Sequence, residues 1–149
     1  SSLADGDKNI LELYSGTGSL TCYLAEKAEH VTSVEEWRSA VRMAAKNLSA
    51  NGFNNVETLC GRSEDVIAEL KDKYDSVVLD PPRDGCEKAV LEAINKFGVK
   101  KIIYVSCNPA TLARDCKILA NHGYELAKIK SFDMFPQTAH VETVCFLIR

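Results

Sequence analysis

The sequence is short of the features that mark several classes of protein. Among its 149 residues there are only 4 Pro and 8 Gly, too few for a collagen-like, linker-like or low-complexity chain. No uncharged apolar run approaches the roughly 18 to 20 residues needed to span a membrane. The opening stretch, SSLADGDKNI, has neither the basic start nor the apolar core of an export signal, so a cytoplasmic protein is expected. The six cysteines (Cys22, Cys60, Cys86, Cys107, Cys116 and Cys145) contain no CxxC pair, and the 3 His are not clustered with them. They therefore read as free thiols, mostly buried, and neither a disulfide framework nor a metal site is expected. There is no basic excess either: 18 Lys and Arg stand against 21 Asp and Glu, which on its own gives no support for nucleic-acid binding.

What remains is a chain that is 46% hydrophobic and 26% charged, of a length that suits one domain with its own core. Short β-branched runs alternate with segments of helical period. Strands are expected at Asn9–Tyr14, His30–Val34, Val56–Leu59, Ser76–Leu79, Lys101–Val105, Tyr124–Phe132 and Thr143–Ile148. Helices are expected at Ser19–Ala28, Trp37–Ala50, Ser63–Leu70, Glu87–Phe97 and Thr111–His122. In the second helix Trp37, Val41, Ala44, Ala45 and Leu48 form an apolar stripe. Five strand–helix alternations predict a doubly wound α/β fold, with a mostly parallel seven-stranded sheet closed by an antiparallel hairpin. Ligands of such sheets bind beyond the carboxyl ends of the strands, so the residues just after each strand carry the functional expectation.

After the first strand comes Tyr14-Ser15-Gly16-Thr17-Gly18-Ser19, whose glycines permit a tight turn into a helix N-terminus. A lone GxG is equally well a plain strand–helix joint. Glu35, 19 residues after Gly16, changes the balance, because an acidic residue at that distance can hold a ribose diol. Its neighbour Glu36 is the second choice. The fourth strand runs into Asp80-Pro81-Pro82-Arg83, where two prolines stiffen the exit and hold Asp80 to face a planar N–H group or, alternatively, to cap the next helix. The fifth strand ends in Ser106-Cys107-Asn108-Pro109. With Pro109 opening a helix, Cys107 lies where the helix dipole favours thiolate, a nucleophile's position. A buried structural cysteine is the competing reading. The connection Phe132–Glu142 is long for a hairpin and offers His140 or Glu142 as a base, with Met134 and Phe135 as core or site residues.

Four segments in this order, LYSGTGSLT, VLDPPR, YVSCNPATLARD and DMFPQTAHVET, resemble the catalytic domain of the S-adenosylmethionine-dependent RNA 5-methyluridine methyltransferases. The resemblance extends over essentially the whole chain, and the last segment is closer to the ribosomal-RNA branch than to the transfer-RNA branch. It implies a Rossmann-like class I methyltransferase fold and S-adenosylmethionine as cofactor, held by Tyr14, Gly16, Gly18, Ser19, Glu35 and Asp80. It also implies Cys107 as the nucleophile that adds to uracil C6, Glu142 as the base that removes the C5 proton, and Asp80 as the carboxylate that reads the uracil edge. Arg83, Asn108, Pro109 and His140 fall on the substrate side. The target base has to leave its stack to reach such a site.

Three departures stand out. Arg62 occupies a place where the family has Asp or Asn, Ser15 replaces a frequent Cys, and the family's N-terminal RNA-binding region is missing. In some members that region also carries an iron–sulfur cluster. The chain thus reads as an excised catalytic domain, which accounts for its acidic balance. Two other functions are compatible with parts of the sequence. An exocyclic-amine methyltransferase would use the DPP segment but not Cys107, and an isolated cofactor-binding module would await its RNA-binding partner. A Cys107–His140–Glu142 hydrolase would leave the GxG turn and Glu35 without a role.

Overall fold

The computed structural model describes residues 6–133 and 141–149. Seven strands form one sheet in the order β3-β2-β1-β4-β5-β7-β6. In chain order these are β1 (Asn9–Leu13), β2 (His30–Glu35), β3 (Val56–Cys60), β4 (Ser76–Leu79), β5 (Lys101–Ser106), β6 (Glu125–Phe132) and β7 (Glu142–Ile148). The helices are α1 (Ser19–Ala25), α2 (Arg38–Ala50), α3 (Ser63–Glu69), α4 (Lys88–Phe97) and α5 (Pro109–Asn121). The first five strands pair in parallel and β7 runs antiparallel between β5 and β6, the doubly wound sheet with a terminal hairpin that the alternation predicts. The strand order reverses between β1 and β4, which opens a crevice at their carboxyl ends.

Alternate residues of the central strands feed two cores, because side chains on a strand alternate between faces. Leu11, Leu13, Val77, Leu79, Ile102 and Tyr104 pack under α3, α4 and α5. Ile10, Val31, Val78 and Ile103 pack on the face bearing α1.

Several boundaries differ from the expectation. Tyr14 lies outside β1 because its backbone turns left-handed, with φ 64°. The first helix stops at Ala25 and not at Ala28. Asn55 Nδ2 donates to the Ala25 and Ala28 carbonyls at 2.8 and 3.0 Å, supplying these end carbonyls with the donors that another helical turn would have provided. The fifth helix begins two residues early, at Pro109, because Asn108 Oδ1 caps it by accepting the Ala110 N–H at 3.0 Å. The apolar stripe of α2 is narrower than read: Ala44 and Leu48 are buried, Ala45 is exposed, and Trp37 precedes the helix with 67% of its surface open. Of the cysteines only Cys86 and Cys145 are buried; Cys60 is exposed, and Cys22, Cys107 and Cys116 are intermediate. Met134, Phe135 and His140 lie outside the described residues, as does the stretch 134–140 as a whole.

Candidate active site

Register lines up the expected site. Leu13 pairs with Val34 and with Leu79, and Leu79 pairs with Tyr104. Tyr14, Glu35 and Asp80 therefore stand side by side at the carboxyl edge. Ser106 pairs with Thr143, so Cys107, just past the end of β5, is level with Glu142, the first residue of antiparallel β7. A parallel seventh strand would have put Glu142 at the opposite end of the sheet.

The turn after β1 is held from below. Gly16 and Gly18 adopt φ of 56° and 83°, and Gly18 caps α1 without any side-chain bond. Glu35 is buried, and each of its carboxylate oxygens takes one backbone donor: Gly16 N–H at 2.8 Å on Oε2 and Trp37 N–H at 2.9 Å on Oε1. Its first duty is thus to fix the turn. Because each oxygen has a second lone pair, the carboxylate still has accepting capacity at the cavity wall.

Above the turn lies an open cavity of about 380 Å³, with Tyr14, Glu35, Trp37, Arg62, Asp80 and Glu87 among its walls. Glu36, Glu64 and Asp84 bring the lining carboxylates to six, against the single guanidinium of Arg62, itself paired with Glu64. The unusual Arg62 therefore faces this cavity. Gly16, Gly18 and Ser19 form the floor turn without lining the cavity, and Cys107, Asn108, Pro109 and Glu142 occupy the adjoining part of the edge.

Electrostatics single out three groups. Burial pushes the Tyr14 phenol well above its usual range, with the neighbouring Cys86 adding to the shift. Asp80, although at the exposed mouth, is raised first by the protein packed round its carboxyl and second by the charge of Glu142. Beneath both, Glu12 is 1% exposed and its Oε2 has no hydrogen-bond partner. Burial pushes it up to about 8; the nearby Thr21 hydroxyl offsets part of the shift and Asp80 adds to it.

The nucleophile side is built by contacts between α5 and the loop after β4. Asn108 Nδ2 and Thr111 Oγ1 both donate to the Arg83 carbonyl, at 3.0 and 3.1 Å. Ser106 Oγ accepts the Asn108 N–H at 3.0 Å and fixes the two residues on either side of Cys107. Cys107 is half-buried, and Pro109 is exposed at the opening of the helix. Glu12, Trp37 and Asp115 were not singled out from the sequence. An acid in the middle of an apolar strand was the available signal for Glu12. Trp37 falls in a helical stripe, and nothing in the sequence pattern sets Asp115 apart from a surface charge.

Residues 2–149 match the family described as tRNA (Uracil-5-)-methyltransferase. The chain belongs to that family. An uncharacterized RNA methyltransferase of Clostridium tetani is 45% identical over 145 residues, which cover 95% of this chain and 32% of the relative. Another, from Caldanaerobacter subterraneus subsp. tengcongensis, is 43% identical over 147 residues and is covered to the same 32%. The family domain described here thus spans about a third of the length of these curated relatives. Among solved structures, the Pyrococcus abyssi tRNA (uracil-54, C5)-methyltransferase in complex with S-adenosyl-L-homocysteine superposes with a TM-score of 0.85 at 35% identity. That match covers 97% of this chain and 35% of the other. A precorrin-8w decarboxylase of Methanobacterium thermoautotrophicum, at 17% identity and a TM-score of 0.75, shares the fold alone. The fold is the Rossmann-like class I methyltransferase fold. Among the described residues no helix is long and apolar enough to cross a membrane.

Proposed function

We propose that this domain transfers a methyl group from S-adenosylmethionine to C5 of a uridine in RNA. The observation that carries the reading is the register that sets Cys107, Glu142 and Asp80 at one end of the sheet, beside the acidic cavity. The cavity suits the cofactor chemically: six carboxylates against one guanidinium favour a cationic ligand, and Glu35 offers a buried carboxylate for a ribose diol. Tyr14, the turn from Gly16 to Ser19, Glu35 and Asp80 would hold it. When bound, it supplies an electrophilic methyl group.

The remaining chemistry belongs to the chain's own residues. Uracil C5 is a weak nucleophile, and addition of the Cys107 thiolate to C6 converts it to an enolate carbon that accepts the methyl group. Glu142 then takes the C5 proton, the C6–S bond breaks, and the electron pair returns to the thiol sulfur as the 5,6 double bond reforms. Asp80 accepts from the uracil N–H edge, and Arg83, Asn108 and Pro109 border the base.

The acidic walls would repel a phosphodiester backbone, so the RNA backbone contacts are assigned to the two thirds of the relatives' length outside this domain. Alone, the domain is expected to bind cofactor and turn over poorly. The form of the DMFPQTAHVET segment supports ribosomal RNA as substrate, while the Pyrococcus abyssi relative acts on transfer RNA. The deciding experiment is intact-mass analysis of the full-length protein with S-adenosylmethionine and 5-fluorouridine-containing ribosomal and transfer RNA transcripts. Fluorine at C5 cannot leave as a proton, so a covalent adduct should be trapped and should vanish in Cys107→Ala. An adduct that persists in that variant removes Cys107 as nucleophile, and N-methylated product would point to exocyclic-amine chemistry.

A further inference from the structure

One group of side chains outside the cavity is built with more care than the core requires. Asp115 on α5 is completely buried, 0% exposed, and both its oxygens are used. Oδ2 accepts the Tyr104 hydroxyl at 2.6 Å and the Cys86 backbone N–H at 2.8 Å. Oδ1 accepts Arg114 Nε at 2.8 Å. Arg114 Nη2, also 2.8 Å from Asp115 Oδ1, donates to the Asp84 carbonyl at 2.9 Å and to the Cys86 carbonyl at 3.3 Å.

These bonds share a target. Asn108, Thr111, Arg114 and Asp115 recur at helical spacing along the first two turns of α5, and all of them reach the loop of residues 83 to 86. That loop begins at Asp80. The helix begins directly after Cys107. Gly85 shows how close the fit is: its φ is +78°, and a Cβ there would stand 2.6 Å from Asp115 Oδ2 and 2.7 Å from Arg114 Nη2. Much of the Arg114 side chain remains exposed (52%), so its forked bonding to two loop carbonyls adds little buried apolar surface. It fixes a geometry.

We propose that Arg114 and Asp115 are positioning residues that set the separation between the uracil-reading carboxylate Asp80 and the nucleophile Cys107, without touching substrate or cofactor. The proposal rests on the reading of Cys107 given above. A planar fork is required, because one donor group must serve a carboxylate and two carbonyls at once. Displacing reacting groups by even an ångström lowers rate steeply. The cofactor turn held by Glu35 lies outside this lock, whereas Asp80, Asp84 and Gly85 of the locked loop form one wall of the cavity.

The test uses the full-length protein and two separable readouts. One is calorimetric affinity for S-adenosylhomocysteine. The other is the single-turnover rate of adduct formation with saturating 5-fluorouridine-containing transcript and S-adenosylmethionine. Arg114→Met should slow adduct formation at least tenfold and weaken S-adenosylhomocysteine by no more than about threefold, because the locked loop is only one wall of the cavity; Arg114→Lys should restore part of that rate. Asp115→Asn, carried alongside with its melting temperature, should slow the adduct step further. An Arg114→Met protein that forms adduct at the wild-type rate overturns the proposal. So does one that loses affinity and adduct rate in parallel, since that marks a general scaffold role. If the wild-type protein itself forms no adduct, the Cys107 reading fails and the positioning role falls with it.

Discussion

Glu142 lies near enough to Asp80 at the end of the sheet for its charge to add to burial in holding the Asp80 carboxyl above its ordinary range. They are far apart in the sequence and meet only because β7 enters antiparallel beside β5. Two carboxylates kept close and assigned different duties are a frequent device for separating binding from proton transfer.

Replacing Glu142 with Gln tests both sides of this relationship. Removing the charge takes away one of the two causes of the Asp80 shift, so the Asp80 titration midpoint, followed by carboxyl carbon resonances, should move down. Turnover should be lost, and a C5-methylated covalent adduct should accumulate on unfluorinated RNA, because the C5 proton has no acceptor and Cys107 is not released. Full turnover by Glu142→Gln would assign the proton to another group.

Glu12 gives a pH signature with a definite sign. In the folded protein its proton is held up to about pH 8, whereas in the unfolded chain it leaves near the ordinary glutamate value of 4.5. Between those values the folded state binds more protons, so stability is full below about 4.5 and is lost as pH rises towards 8. The slope approaches about 1.4 kcal/mol per pH unit if Glu12 acts alone. Glu12→Gln, which mimics the protonated acid, should flatten urea-denaturation stabilities measured from pH 5 to pH 8.5. An unchanged slope would place the titration elsewhere.

The sequence made the architecture and the edge residues legible for a simple reason: strand–helix alternation is periodic, and the residues after each strand must lie at the sheet end. Glycine, proline and cysteine at Gly16, Pro82 and Cys107 announce themselves because their backbone or sulfur chemistry is unusual. The lock around Asp115 was not legible. Its partners are the backbone groups of Asp84 and Cys86 and the Tyr104 hydroxyl, and no residue pattern encodes which carbonyl a distant arginine will meet. Trp37 misled for the opposite reason. It fits a helical apolar stripe, but the Glu35 carboxylate holds its N–H at 2.9 Å, before the helix begins, and leaves the ring at the cavity wall.

Asn108 performs two tasks that substitution can separate. Its Oδ1 caps α5 and its Nδ2 holds the Arg83 carbonyl. Asn108→Ala removes both and should cost about 2 kcal/mol, roughly one for the cap and one for the hydrogen bond. Asn108→Asp retains the capping acceptor and adds charge where the helix dipole favours it, so its stability should stay within about 1 kcal/mol of wild type. Both variants lack the donor to Arg83, and both should slow adduct formation. An Asp variant with the wild-type adduct rate would show that the Arg83 bond is not used in the reaction.

Two glycines with left-handed backbones should respond very differently to alanine. At Gly16, φ +56°, an added Cβ meets nothing within 4 Å, so Gly16→Ala pays only the conformational cost of about 1 kcal/mol. At Gly85 the same conformational cost is joined by a Cβ 2.6 Å from a buried carboxylate oxygen and 3.2 Å from Thr111 Cβ. Relief requires the loop to lift from α5, breaking the Cys86 and Arg114 contacts with it. Gly85→Ala should therefore lose about 2 to 4 kcal/mol in urea denaturation. It should also slow the adduct step by a larger factor than it weakens S-adenosylhomocysteine, since Gly85 lines one wall of the cavity while Glu35 and the glycine turn stand apart from that loop. Equal effects of the two substitutions would mean that the loop yields without cost, and the close packing of Gly85 on Asp115 would then carry no functional weight.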